Sequence, residues 1–226
     1  MSLDVARLAG LMAEDPAAFI REVTAVSSAP ACPEIKLHLA TEITPLWEAT
    51  EQALAGMKVE PPYWAFCWAG GQALTRFVLD NPDLSRGKRV LDFAAGCGIS
   101  AIAAAMNDAA AVEAAEIDAL AGAAISNNAA LNGVDVRVVL DDLVGQPNRW
   151  DMVVAGDVCY EKPMTEHIWP WLKQLAADGA TVLMADPGRA YLPKMGLLEV
   201  GRMVVQTSLE LEDKTSREVV VYRIVG

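Results

Sequence analysis

The chain has 226 residues, 53% of them apolar, with 18 basic against 30 acidic side chains and a net charge of −12. Such a composition excludes a disordered chain, and the length suits one α/β domain with a large core and an N-terminal extension. No apolar run reaches membrane-spanning length, and the acidic balance argues against broad nucleic-acid binding, which calls for a basic face.

An acidic surface suits a lysine-bearing protein partner. The opening MSLDVARLAGLMAED lacks the basic n-region and cleavage site of a secretory signal, so a cytoplasmic protein is expected. Cys32, Cys67, Cys97 and Cys159 are scattered with no C-x-x-C pair, and His38 and His167 are the only histidines. Reduced, partly buried thiols, structural histidines and no metal site are therefore expected.

Residues 1–30 read as two short helices, the first capped by Ser2 or Asp4 and the second opened by Asp15-Pro16. Ile35, Leu37 and Leu39 alternate with Lys36 and His38, which predicts an extended segment. Thr44-Pro45 reads as the cap and first position of a helix that closes near Gly56. Residues 1–60 are thus expected to form a mostly helical extension outside the sheet, either a lid on the substrate side or a cover for the core. The main domain is expected over residues 61–226. It opens with PPYWAFCWAGGQ (61–72), an aromatic patch between breaking prolines and a glycine pair. Trp68 and its neighbours suit a wall for a cationic ligand or simple core packing. The glycine pair is expected to precede a helix over 72–79.

Residues 90–100, VLDFAAGCGIS, carry the strongest local signal: a buried strand, the acidic Asp92, a turn through Ala94, Gly96 and Gly98, then a helix over 99–106. Strand, glycine turn and helix together present backbone N–H groups and a positive helix end to a ligand. Gly96-x-Gly98-x-x-Ala101 matches a dinucleotide fingerprint, with Glu116 at about the expected 20 residues further on. Asp92 opposes that reading, because a carboxylate at the mouth of the loop repels a pyrophosphate and attracts an ammonium and a sulfonium.

A second strand over 111–115 ends at Glu116-Ile117, where a carboxylate can accept from both hydroxyls of a ribose. A helix over 119–131 stops at Asn132-Gly133, and a third strand over 134–140 leads to Asp141 and Asp142. Asp141, the first residue off that strand, is placed to accept from an adenine amino group, with Asp142 as the alternative. A fourth strand over 150–156 ends at Gly156 and delivers Asp157-Val158-Cys159-Tyr160. Ligands of open α/β sheets lie beyond the carboxyl ends of the strands, so Asp157 and Tyr160 are expected to face the reacting group. A fifth strand over 180–185 ends in the turn Asp186-Pro187-Gly188-Arg189, and a helix over 191–200 is expected next. Runs over 203–211 and 218–224 read as an antiparallel hairpin, for seven strands in all.

Taken together, PPYWAFCWAGGQAL, VLDFAAGCGISAIAA, AAEID with Asn127-Asn128, GDVCYE and ADPGR resemble the seven-β-strand lysine methyltransferases, most closely the electron transfer flavoprotein β-subunit lysine methyltransferase group. That group's D-x-x-Y corresponds to Asp157 and Tyr160, while the first glycine of its D-x-G-x-G-x-G loop is Ala94 here. The resemblance implies a Rossmann-like, seven-stranded class I methyltransferase sheet with an antiparallel last strand. It implies S-adenosylmethionine as cofactor, S-adenosylhomocysteine as product, and a lysine of a protein, the electron transfer flavoprotein β subunit, as acceptor. Neither nucleic acid nor membrane is an expected partner. The catalytic candidates are Asp157 and Tyr160; the cofactor candidates are Trp68, Asp92, Ala94, Gly96, Gly98, Glu116, Ile117, Asp141, Asp142 and Gly156. The competing readings are a small-molecule (nicotinamide-like) N-methyltransferase, an NAD-dependent oxidoreductase and a non-catalytic binding protein.

Overall fold

The computed structural model describes residues 5–40 and 61–225. The helix expected from Thr44 to Gly56, and the caps Ser2 and Asp4, lie outside them. Seven strands form one sheet: β3 (Arg89–Phe93), β4 (Ala111–Ala115), β5 (Arg137–Val139), β6 (Met152–Gly156), β7 (Thr181–Asp186), β8 (Leu197–Gln206) and β9 (Ser216–Ile224). Their spatial order is β5-β4-β3-β6-β7-β9-β8; the first five are parallel, and β9 runs antiparallel to both β7 and β8. Strands covered on both faces need apolar side chains in both directions, which is why β6 reads MVVAG without alternation. The chain moves outward from β3 to β5 and then returns to lay β6 on the other side of β3. That reversal opens a crevice at the carboxyl ends of β3 and β6, where ligands of such sheets sit.

Helices α3 (Ala69–Asp80), α4 (Ile99–Met106) and α5 (Ala119–Leu131) meet one face of the sheet, where Ala73, Leu74, Ile102 and Ile125 pack on Val90, Val112, Val154 and Leu183. Helix α6 (Lys162–Ala177) covers the other face, with Trp171, Leu172 and Leu175 against Leu91, Phe93 and Val153. Val90 and Leu91 point opposite ways, as successive strand residues must. One buried polar contact joins the first layer: the hydroxyls of Thr75 on α3 and Ser100 on α4 lie 2.9 Å apart.

The described part of the front section holds α1 (Val5–Glu14), α2 (Pro16–Val23) and a small hairpin of β1 (Ala25–Ser27) and β2 (Leu37–Leu39). Asp15 caps α2 as the Asp-Pro pair predicts, its carboxylate accepting from Ala18 N–H at 2.9 Å. Phe19 and Ile20 pack with Trp64 and Phe66 on Leu120 and Ala124 of α5. Fully buried Asn128 ties the hairpin to the main domain, accepting from His38 N–H at 2.7 Å and donating to the Cys97 carbonyl at 2.9 Å.

Two local expectations are corrected. The helix expected after Gly70-Gly71 starts at Ala69 and holds both glycines in its first turn. In place of the helix expected over 191–200, Pro193 and Gly196 (φ +80) break the chain and β8 begins at Leu197. Helix-forming side chains in Leu197-Leu198-Glu199 yield there to a long ladder with β9, because propensity is a weak preference beside tertiary pairing. The loop of the final hairpin also contains a one-turn helix, α7 (Leu209–Glu212).

Candidate functional site

A cleft open to solvent lies at the β3–β6 crevice between the glycine turn and the aromatic segment before α3. Trp68, Asp92, Ala94, Gly96 and Gly156 line it, with Phe66, Cys67, Gly71 and Cys97 beside them. The turn is left-handed at Ala94 (φ +53), Gly96 (φ +55) and Gly98 (φ +76). Gly98 also lies close beneath α5: a Cβ there would stand 3.0 Å from Ile125 Cγ1 and Cγ2. Ala94 is the only one of these three that carries a Cβ, and an L-residue in that region is strained by roughly 1–2 kcal/mol. Ala94→Gly is accordingly expected to raise the melting temperature by about 1–4 °C, measured by calorimetry, since the relieved strain is partly offset by glycine's extra chain entropy. A lowered melting temperature would refute the left-handed assignment at Ala94.

Gly98 stands at the N-cap of α4 without a side chain to cap it. Asp92 does this from the strand end, its Oδ2 accepting from Ala101 N–H at 2.8 Å. Burial pushes the Asp92 carboxyl well above its ordinary range, with the Ala101 N–H acting against that rise. No cation stands beside it among the described hydrogen-bonded and ion-paired groups. Glu116 holds the same turn from β4: its Oε1 accepts from Gly96 N–H at 2.8 Å and its Oε2 from Ile117 N–H at 3.2 Å. Burial raises this carboxyl too.

Ile117, Asp141 and Asp142 are not among the residues that line the cleft. Ile117 is 73% exposed. Asp141 is exposed after β5, and so is Asp142, which accepts from Val144 N–H at 3.0 Å and pairs with His167 Nε2 on α6 at 3.0 Å.

Asp157 follows Gly156 directly and adopts a left-handed backbone (φ +61) with 7% of its surface exposed. Its Oδ2 accepts from Gly70 N–H at 2.6 Å and its Oδ1 from Arg189 Nε at 2.6 Å. Burial raises the Asp157 carboxyl and the Arg189 hydrogen bond and charge lower it. Tyr160 is 40% exposed; its ring lies 5.7 Å from that of Tyr63, which is 5.8 Å from Trp68. The Arg189 guanidinium is 6.0 Å from the Trp68 ring. Asp157, Tyr160 and the aromatic segment therefore meet at one edge of the cleft.

Arg189 and Glu212 have no assigned role in the sequence reading. The ADPGR turn placed Arg189 at the correct sheet edge, but nothing in the hairpin's EDKTS marks Glu212 as a buried partner.

Residues 41–190 match the family model of ribosomal protein L11 methyltransferase (PrmA). The chain is 38% identical over 206 residues to the electron transfer flavoprotein β-subunit lysine methyltransferase of Xenopus laevis, covering 90% of this chain and 82% of that protein. It is 40% identical over 196 residues to the protein of that name from Homo sapiens, covering 85% and 74%. Among solved structures, a putative RNA methyltransferase from Pyrococcus horikoshii aligns at TM-score 0.55 and 17% identity, covering 79% of this chain and 98% of that one. Magnesium protoporphyrin IX methyltransferase from Synechocystis PCC 6803 with bound SAM aligns at TM-score 0.50 and 20% identity, covering 67% and 76%. At these identities the two structures establish the fold, a seven-stranded methyltransferase sheet.

Proposed function

The chain belongs to the electron transfer flavoprotein β-subunit lysine methyltransferase family, and from that premise we propose that it transfers methyl groups from S-adenosylmethionine to lysines of an electron transfer flavoprotein β subunit. The observation that carries this reading is the shared edge of two features: Gly156 lines the cleft beside the glycine turn, and the next residue is the buried Asp157. The residues present fit S-adenosylmethionine. Gly96, which lines the cleft, has nothing within 4 Å of where a Cβ would stand, and Asp92, a carboxyl with no cationic partner among the described groups, lines a cleft walled mainly by apolar and aromatic groups.

When bound, S-adenosylmethionine supplies an electrophilic methyl group on a sulfonium. In this reading Asp92, Ala94, Gly96, Gly98 and Gly156 would hold its amino-acid end, Trp68 would wall the cleft beside it, and Glu116 would take the ribose. Ile117 flanks the ribose side, and Asp141 or Asp142 reaches the adenine. Asp157 and Tyr160 receive the acceptor: Asp157 aims the amine, and the Tyr160 and Tyr63 rings wall its channel. An amine must be neutral to attack, and at pH 7 with a reference pKa of ~10.4 neutralising a lysine costs roughly 4.6 kcal/mol. Exclusion of water by the aromatic wall lowers that cost, because burial disfavours the ammonium form. Residues 1–60 form the substrate side of the enzyme and residues 61–226 the methyltransferase domain. The net charge of −12 suits a basic protein segment and not an RNA. Four unpaired thiols suit a reducing compartment such as the cytoplasm.

Incubation with labelled S-adenosylmethionine and recombinant electron transfer flavoprotein, followed by mass spectrometry, is expected to place the label on lysines of the β subunit. Label on free nicotinamide with none on protein would move the substrate class to small amines.

A further inference from the structure

Both oxygens of the Asp157 carboxylate are engaged, and the partner of Oδ1 is a cation fixed from several sides. The Arg189 backbone N–H donates to Asp186 Oδ1 at 2.6 Å, its Nε to Asp157 Oδ1 at 2.6 Å, and its Nη1 and Nη2 to the Glu212 carboxylate at 3.0 and 2.6 Å. The Glu212 side chain is fully buried, and Arg217 Nε stands 3.2 Å from its Oε2. Against burial, which works to lower it, the hydrogen bonds it donates to Glu212 and Asp157 raise the Arg189 guanidinium above its ordinary value, so it stays cationic at any working pH. The turn after β7, helix α7 and the end of β6 converge on this one side chain.

A bare carboxylate beside the acceptor presents a difficulty, because it favours the ammonium form, which has no lone pair to attack with. We propose that Arg189 is a positioning residue that cancels the charge of Asp157 toward the acceptor, leaving the carboxylate's remaining lone pairs to orient a neutral lysine amine. The inference rests on the lysine-acceptor reading of Asp157 given above. The groups facing Asp157 are Asp186 at the end of β7, Arg189 from the turn after it, Glu212 from α7, and the thiols of Cys67 and Cys159, with Arg217 of β9 behind them on Glu212. Three carboxylates thus stand against two guanidiniums in this cluster. Removing Arg189 makes the cluster more negative by a full charge, next to the amine.

The test is the pH profile of turnover with recombinant electron transfer flavoprotein as substrate. In Arg189→Met the midpoint of the rising limb is expected to move up by roughly one to two pH units, the effect of a unit charge a few ångströms away at an effective dielectric of about 20. Arg189→Lys, which keeps the charge but not the fork, is expected to leave the midpoint in place while lowering turnover. If Arg189→Met does not fold, Arg189→Gln, which removes the charge and keeps a hydrogen-bonding head for Asp157 and Glu212, is expected to show the same displacement. S-adenosylmethionine binding, followed by calorimetry, is expected to match wild type in each variant. A folded, cofactor-binding Arg189→Met with reduced turnover and an unmoved midpoint would show that Arg189 is merely structural. A wild-type enzyme that labels no lysine overturns the parent reading and this inference together, so the two failures are told apart.

Discussion

Asn in place of Asp157 is expected to lower methyl transfer by at least ~10²-fold while S-adenosylmethionine affinity stays within about threefold of wild type. The substitution is chosen to keep the fold. Asparagine has the same size and is among the side chains that best tolerate a left-handed backbone, as position 157 requires at φ +61. The amide has a single acceptor atom, whereas both carboxylate oxygens are used, one by Gly70 N–H and the other by Arg189 Nε. One of those donors must then face an NH₂ group, and the side chain turns or shifts. A misplacement of about 1 Å in a positioning group can itself cost 10²-fold in rate, without touching the cofactor contacts. Single-turnover methylation and calorimetry separate the two effects. Unchanged turnover would remove Asp157 from the acceptor site, and equal loss of turnover and of cofactor affinity would make it a cofactor residue.

What the sequence made legible was local. Asp92, Gly96 and Gly98 lie within one strand and turn, and the short-range rule for a glycine turn fixes their relation without knowledge of the rest of the chain. Glu116 and Asp157 follow from the strand-end rule, since every parallel strand of such a sheet delivers its next residue to the same edge. The same rule does not say where a residue turns after it leaves the strand: Asp142, the alternative to Asp141, meets His167 on α6. Long-range pairing was not legible at all. Arg189 and Glu212 meet across 23 positions, through a hairpin whose position beside β7 depends on the antiparallel pairing of β9. The expected helix over 191–200 failed for a related reason: the ladder that claims Leu197–Gln206 is formed by residues further along the chain. Asp92 shows a third limit. Its charge was readable from composition and position, but its second duty, capping α4 where Gly98 has no side chain, required the turn's geometry.

Gly70→Ala is expected to be among the most damaging single-methyl additions in the chain, lowering stability by about 3 kcal/mol and the melting temperature by roughly 6–12 °C. In an ordinary helix interior the change would stabilise by up to ~1 kcal/mol, since glycine is a poor helix former. Here the first turn of α3 is pressed onto the carboxyl edge of the sheet. A Cβ on Gly70 would stand 2.7 Å from the Ala185 carbonyl oxygen, 2.8 Å from Asp157 N and 2.9 Å from Asp157 Oδ2. The first two are backbone atoms of adjacent strands, hydrogen-bonded to each other at 2.9 Å, so neither can rotate out of the way. Relief requires α3 to move outward, which breaks the Gly70 N–H bond to Asp157 and shifts Gly71 at the cleft wall. Activity is therefore expected to fall together with stability. The neighbouring Gly71→Ala supplies the contrast, since the nearest atom to its new Cβ is Ile99 Cγ2 at 3.9 Å. Its melting temperature is expected to equal or exceed wild type. If thermal unfolding followed by circular dichroism finds the two variants equally stable, α3 does not approach the strand ends as closely as its glycines indicate. The hold of Gly70 on Asp157 would then be no part of how the site is built.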